Sequence, residues 1–197
     1  MTKIPARSSG SAGTQEGTMI AMPIDTKQAI ADAFRLLMVK KEFDKITVKD
    51  ISDVCGIARQ SFYYHFQNTL DLVEWIVEQS IRDTIRRTLE EEDPVASIEH
   101  FVLNAVNHHG LMLKLRSSQH HEHFQFIFVQ AVETYLAEFL RHSQPELTTG
   151  LNDLKTACQF YACGIVGLLL LRCGDRNLDT KKLARQICLL ITKPGEG

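Results

Sequence analysis

The chain has one tryptophan, five prolines and almost no excess of either charge, with 22 Lys and Arg against 24 Asp and Glu in 197 residues. That balance excludes a histone-like or tail-driven polyanion binder, yet leaves room for a local nucleic-acid site. The cysteines, Cys55, Cys158, Cys163, Cys173 and Cys188, are odd in number and contain no Cys-x-x-Cys pair. They read as small buried hydrophobes in a reducing compartment, not as a disulfide framework. No N-terminal stretch joins a basic flank to an apolar core, so no signal peptide is expected. The longest apolar run, Phe160 to Leu171, is twelve residues including two glycines, against about 20 needed to cross a bilayer. These absences predict a cytoplasmic protein with no membrane partner. Gly-x-Ser-x-Gly, His-Glu-x-x-His, a Gly-rich phosphate loop and a Cys–His pairing are also missing, so no catalytic residue and no metal site is assigned and no enzyme is expected.

Period-two alternation is absent too, and what remains is helical periodicity. Residues 1–24 are rich in Ser, Gly and Thr without periodicity and read as a flexible tail. After it, Asp25 or Thr26 caps a first helix that aligns Ala29, Ile30, Ala33, Phe34 and Leu37. Thr47 caps a second, with Asp50 placed for a capping box, Val48, Ile51 and Val54 inward, and Gly56 closing it. A short third helix covers about 58–65. Asn68 or Thr69 opens a long fourth, with Leu72, Val73, Ile76, Val77, Ile81, Ile85 and Leu89 inward. Further helices are expected near 95–108, 111–116, 122–142, 150–173 and 179–192, broken at His109-Gly110, Ser117-Ser118, 143–145 and Gly174-Asp175. The fold class is all-α. Charge divides unevenly: residues 1–66 carry nine Lys and Arg against seven Asp and Glu, and residues 67–197 carry thirteen against seventeen. The basic end is the one suited to a polyanion.

Residues 47–66, TVKDISDVCGIARQSFYYHF, place two short helices about a tight turn at Gly56. This is the helix-turn-helix arrangement, in which the second helix lays its first residues in the DNA major groove. Arg59, Gln60 and Ser61 project from that start. Arg suits the guanine O6/N7 pair and Gln the adenine N6/N7 pair.

The pattern T-V-x-x-I-x-x-x-x-G-I-x-x-x-S-F-Y-Y-H-F, followed by x-N-x-x-D-L, closely resembles the DNA-binding domain of TetR-family transcription regulators. The likeness covers about residues 25–75; beyond them it is architectural. It implies a DNA-binding domain over 25–70 and a helical ligand-binding and dimerisation domain over 71–197. It implies that Thr47 meets a phosphate through its cap, that Arg59, Gln60 and Ser61 read or line the groove, and that Tyr63, Tyr64 and His65 contact phosphates, with Phe62 and Phe66 as core. Two positions depart from the pattern. Ala58 stands where Ser or Thr usually caps the recognition helix, a loss of about 1 kcal/mol of local stability. Thr69 stands where a Lys usually reaches a phosphate, a loss of about one unit of salt-dependence slope. Lys3 and Arg7 of the tail are a second source of cations.

The same resemblance implies a small-molecule effector, with no cofactor, and a homodimer built on the last two helices. Candidate pocket residues are Phe101, Phe124, Phe128 and Tyr135. Candidate dimer residues are Phe160, Gly164, Gly167, Leu168, Leu171 and Ile187, with Leu183, Leu190 and Ile191 beside them. Five histidines (108, 109, 120, 121 and 123) cluster at predicted breaks and read as a solvated loop. The function expected is a regulator, a repressor released by a ligand, bound as a dimer to a palindromic double-stranded operator. Two alternatives stand beside it: a co-activator-type protein working through a protein partner, and a ligand carrier on the same scaffold.

Overall fold

The computed structural model describes residues 25–143, 145 and 154–192. The expected tail over 1–24, with Lys3 and Arg7, and the expected helix start at 150 lie outside them. Among the described residues the helices are α1 (Thr26–Lys40), α2 (Val48–Cys55), α3 (Arg59–His65), α4 (Thr69–Glu90), α5 (Pro94–Arg116), α6 (His121–Ser143), α7 (Leu154–Arg172) and α8 (Thr180–Thr192), with a 3-10 turn at Phe43–Lys45. No strand occurs among the described residues.

Local chemistry sets the helix starts. Asp25 accepts from the backbone N–H groups of Lys27 and Gln28, and Asn68 from those of Leu70 and Asp71. Asp93 accepts from Val95 N–H directly before Pro94 opens α5. The expected boundary at 70/71 falls in the first turn of α4, which runs on without a break.

The central rod is α5, which packs against α1, α4, α6, α7 and α8. A break at His109-Gly110 was expected and does not exist: α5 is one helix of 23 residues. Gly110 costs a helix interior about 1 kcal/mol, but its neighbours are held by packing. The His109 ring lies so close to the turn after α7 that a Cβ on Gly174 would stand 2.8 Å from His109 Cε1. Tertiary contact overrides the local breaker.

Two inward assignments also change. Leu89 and Val54 are exposed, and the turns of α4 near Leu89 instead bury Thr84 and Thr88. Those hydroxyls are satisfied internally: Thr84 donates to the Ser80 carbonyl, and Thr88 to the hydroxyl of Tyr135. A buried threonine whose hydroxyl has a partner leaves no unsatisfied polar group in the core, and a hydrophobicity count misses it. By length and composition α7 would pass for a membrane span, with 19 residues of mean hydropathy 1.6. Here one of its sides, Cys158, Ala162, Ile165, Val166 and Leu169, is buried in the helical body.

Candidate nucleic-acid interface

The site begins at Thr47. Its hydroxyl accepts from Asp50 N–H at 3.1 Å, and Asp50 Oδ2 accepts from Thr47 N–H at 2.9 Å, a closed capping box. Lys41, just past α1, donates to Asp50 Oδ1 at 2.9 Å. That bond, with those from Thr47, holds the Asp50 carboxyl well below the usual carboxylate range. The start of α2 is therefore tied to the end of α1.

At Gly56 the backbone takes φ 72°, the left-handed conformation that a side chain resists. Ile57 N–H then donates to the Ser52 carbonyl at 3.1 Å, which fixes the angle at which α3 departs. Ala58 occupies the cap of α3 and makes no side-chain bond. Among the described residues no side-chain cap is seen at the α3 N-terminus, and uncapped backbone donors are what an anionic phosphate would seek.

Arg59 and Gln60 are exposed and Ser61 half-buried at the start of α3, while Phe62 is fully buried beneath them. Tyr64 is 83% exposed and Tyr63 is also out in solvent, with the Tyr64 and His65 rings edge-on at 5.0 Å. Phe66 seats the end of α3 against Trp75 of α4, centroids 5.7 Å apart. The structure thus places positions 59–61 and 63–65 on one short helix backed by Phe62 and Phe66, with Thr47 capping the helix before it. Sequence reasoning missed two members. Thr26, the first residue of α1, lines the same hollow as Gln60, Ser61, Tyr64 and His65. Lys27 lies over the rings of Phe66 and Trp75, at 5.4 and 5.8 Å from their centroids. The signal available was their place in the first turn of a capped helix.

This unit is clamped to the rest of the chain. Lys114 of α5 donates to the Met38 and Lys41 carbonyls. Gln119 N–H donates to Asp44 at 3.0 Å. Phe43 packs edge-on against Phe124, with centroids at 4.9 Å, and against His120.

The candidate pocket residues divide. Phe101 and Phe128 line an apolar cavity of about 80 Å³ between α4, α5, α6 and α7. Phe124 does not: it belongs to the Phe43 clamp. Nor does Tyr135, which stacks on Phe101 at 4.5 Å and donates its hydroxyl to the Ser97 carbonyl, fully buried. Burial pushes its phenol well above the ordinary range. A phenylalanine and a tyrosine at helical spacing look alike in sequence whether they face a cavity or a neighbour.

The candidate dimer residues divide too. Phe160 (75% exposed), Gly164, Gly167 and Leu171 (78% exposed) share the outward side of α7, with Leu168 half-buried. Ile187 is instead buried inside the chain, as are Leu183 and Ile191, because the apolar stripe of α8 is used against α5. Only Leu190 of that group, and Leu189 beside it, look outward. Of the cysteines, Cys158, Cys173 and Cys188 are buried and Cys55 half-buried, while Cys163 is exposed on α7, contrary to expectation. Burial raises the thiol pKa of the other four. The histidines do not form one solvated loop: His108 and His109 are half-buried on α5, and His120 packs on Phe43. No group of three or more His, Cys, Asp or Glu placed to hold a metal ion occurs among the described residues.

Residues 30–76, from α1 into α4, match the family of bacterial regulatory proteins named for tetR. The dhaKLM operon transcriptional activator DhaS of Lactococcus lactis is 40% identical over 62 residues, 32% of this chain and 33% of that protein. A helix-turn-helix transcriptional regulator of Haemophilus influenzae is 25% identical over 177 residues, 82% of each chain. The solved structure of a dihydroxyacetone kinase operon activator DhaS superposes with a TM-score of 0.64 at 22% identity, covering 85% of this chain and 94% of that one, a likeness of fold. The match falls on the stretch that carries Thr47, Gly56 and the aromatic end of α3, and over residues 30–76 the chain carries the domain of the tetR family of bacterial regulatory proteins.

Proposed function

We propose that the chain is a cytoplasmic transcriptional regulator that binds a palindromic double-stranded DNA operator as a homodimer and is released from it by a small-molecule effector. The observation that carries this reading is the α3 surface. Arg59, Gln60 and Ser61 stand at the start of a short helix, followed along it by Tyr63, Tyr64 and His65, with Thr47 capping the helix before it. Base-reading and phosphate-contacting chemistries lie side by side in the order a major-groove helix needs. Thr26 and Lys27 extend the same surface from α1.

A two-fold operator requires two copies of this helix. The outward side of α7 supports such a pairing, because Phe160 and Leu171 lie bare beside Gly164 and Gly167, where another helix backbone can come close. The apolar cavity bounded by Phe101 and Phe128 supports an effector, since an effector moves a two-state equilibrium only by binding one state better. Control of transcription, rather than catalysis, is the function we infer.

The deciding experiment is selection of bound sequences from a random DNA pool at two salt concentrations. Enrichment of an inverted repeat, with affinity falling steeply as salt rises, is the expected result. Weak binding to every sequence with no enriched motif would overturn it and favour a protein that acts through a partner, or a carrier on this scaffold.

A further inference from the structure

Three hollows of the body meet at one wall. The apolar cavity has only Ser80, Asn104 and His108 as polar lining residues. The same three residues line a cleft of about 420 Å³ between α1, α4 and α5, where the lining adds Arg35, Arg87 and His100. A third hollow, reaching Lys114, also takes in Arg35 and His108. The wall is hydrogen-bonded: Asn104 Nδ2 donates to Ser80 Oγ at 2.9 Å and to Thr84 Oγ1 at 3.1 Å. His108 Nδ1–H donates to the Asn104 carbonyl at 2.8 Å, which leaves Nε2 as the polar atom its ring can offer a ligand.

The two sides of this wall want different things. At about 80 Å³ the cavity is several times what one water needs, and its apolar lining suits a ring or a short branched chain better than water. The cleft is cationic. Its one carboxylate, Asp83, is paired with Arg86 at 3.2 Å. Arg35 is paired with Asp32, but Arg87 has no ion pair among the described residues. His100 adds a buried Nδ1 without a hydrogen-bond partner, a group that native interiors seldom leave unmatched.

We propose that the effector is a small apolar molecule bearing an acidic group, a carboxylate or phosphate ester, with its body in the cavity and its acid at the Ser80–Asn104–His108 wall facing Arg87 and Arg35. This deepens, and rests on, the reading of the chain as an effector-released regulator. An acid oxygen is the natural replacement for the bonds such a ligand interrupts, because it accepts from the Asn104 amide and the Ser80 hydroxyl together and is strengthened by the guanidinium. Arg35 belongs to α1, so the acid end of the ligand touches the DNA-binding unit itself.

The test is calorimetric titration of the full chain with benzoate, butyrate to decanoate, and their phosphate-ester counterparts, each against its matched alcohol. At least one acid is expected to bind about tenfold or more tighter than its alcohol, the worth of one charge-assisted bond. Arg87→Gln, at an exposed and unpaired position, should remove that preference and leave the alcohol unchanged, and Val166→Phe should fill the cavity and abolish both. No acid exceeding its alcohol, or an unchanged acid affinity in Arg87→Gln, overturns the inference. A selected operator whose binding ignores every acid also overturns it, while leaving the DNA-binding reading standing. Acid binding as described, with no operator recovered, keeps the site and removes the regulator reading.

Discussion

The ammonium group of Lys114 stands 2.7 Å from the carbonyl oxygen of Met38. It also donates to the Lys41 carbonyl at 3.1 Å and lies 3.7 Å from Glu42 Oε1. A cation from the body thereby finishes the C-terminus of α1, where the helix dipole is negative and the last carbonyls lack partners. Lys114→Met keeps the stem and removes the donor. It should cost about 1–2 kcal/mol in urea denaturation, with faster amide exchange confined to residues 38–46. Unchanged exchange there would show that Gln119 and Phe124 hold the joint alone.

Arg59→Ala should cost about 1–3 kcal/mol on the selected operator and relax preference at one base position per half-site. Equal losses on all DNA sequences would make Arg59 a phosphate contact. Competition binding against single-base operator variants separates the two.

Ala58→Ser supplies the side-chain cap that α3 lacks. We expect a gain of about 1 kcal/mol in thermal unfolding, and Gly56→Ala, at φ 72°, a loss of about 1–2 kcal/mol. If the first variant is neutral, the uncapped N–H groups already have partners in the free protein.

Asp50 predicts a pH dependence. Its carboxyl is held below the value of about 3.9 it has in an unfolded chain. Its contribution is therefore complete above roughly pH 5 and disappears as pH falls through the folded value. Melting temperatures from pH 7 to pH 2 should fall less steeply in Asp50→Asn than in the parent.

A Cβ added at Gly164 meets nothing within 4 Å in the single chain. In the proposed homodimer, Gly164→Leu should leave the subunit folded and lower the sedimenting mass towards that of a monomer by overfilling the proposed contact. An unchanged dimer mass would move the subunit contact off this side of α7.

What was legible in the sequence was local. Thr47 and Asp50, Gly56, and the Phe62–Phe66 core each declare themselves within four residues, and their helix starts, turn and burial follow from that chemistry. Non-local decisions were not legible. The unbroken course of α5 through Gly110 depends on His109 meeting Gly174, more than sixty positions later. Whether Ile187 faces out or in depends on which side of α8 is claimed by α5, and the stripe itself is silent on that. Tyr135 and Phe124 were legible as aromatic, but their neighbours, Ser97 and Phe43, lie far away along the chain.

The pairing of α5 with α8 also imposes an order on biosynthesis. The helices α1–α3 are complete at His65, whereas the side of α5 that faces α8 is covered only once Thr192 has been made. At ordinary translation speeds that interval is roughly 6–25 s, during which the three-helix head can form while the body stays open. A message truncated before α8 would therefore yield a chain with a formed head and one apolar side of its central rod uncovered.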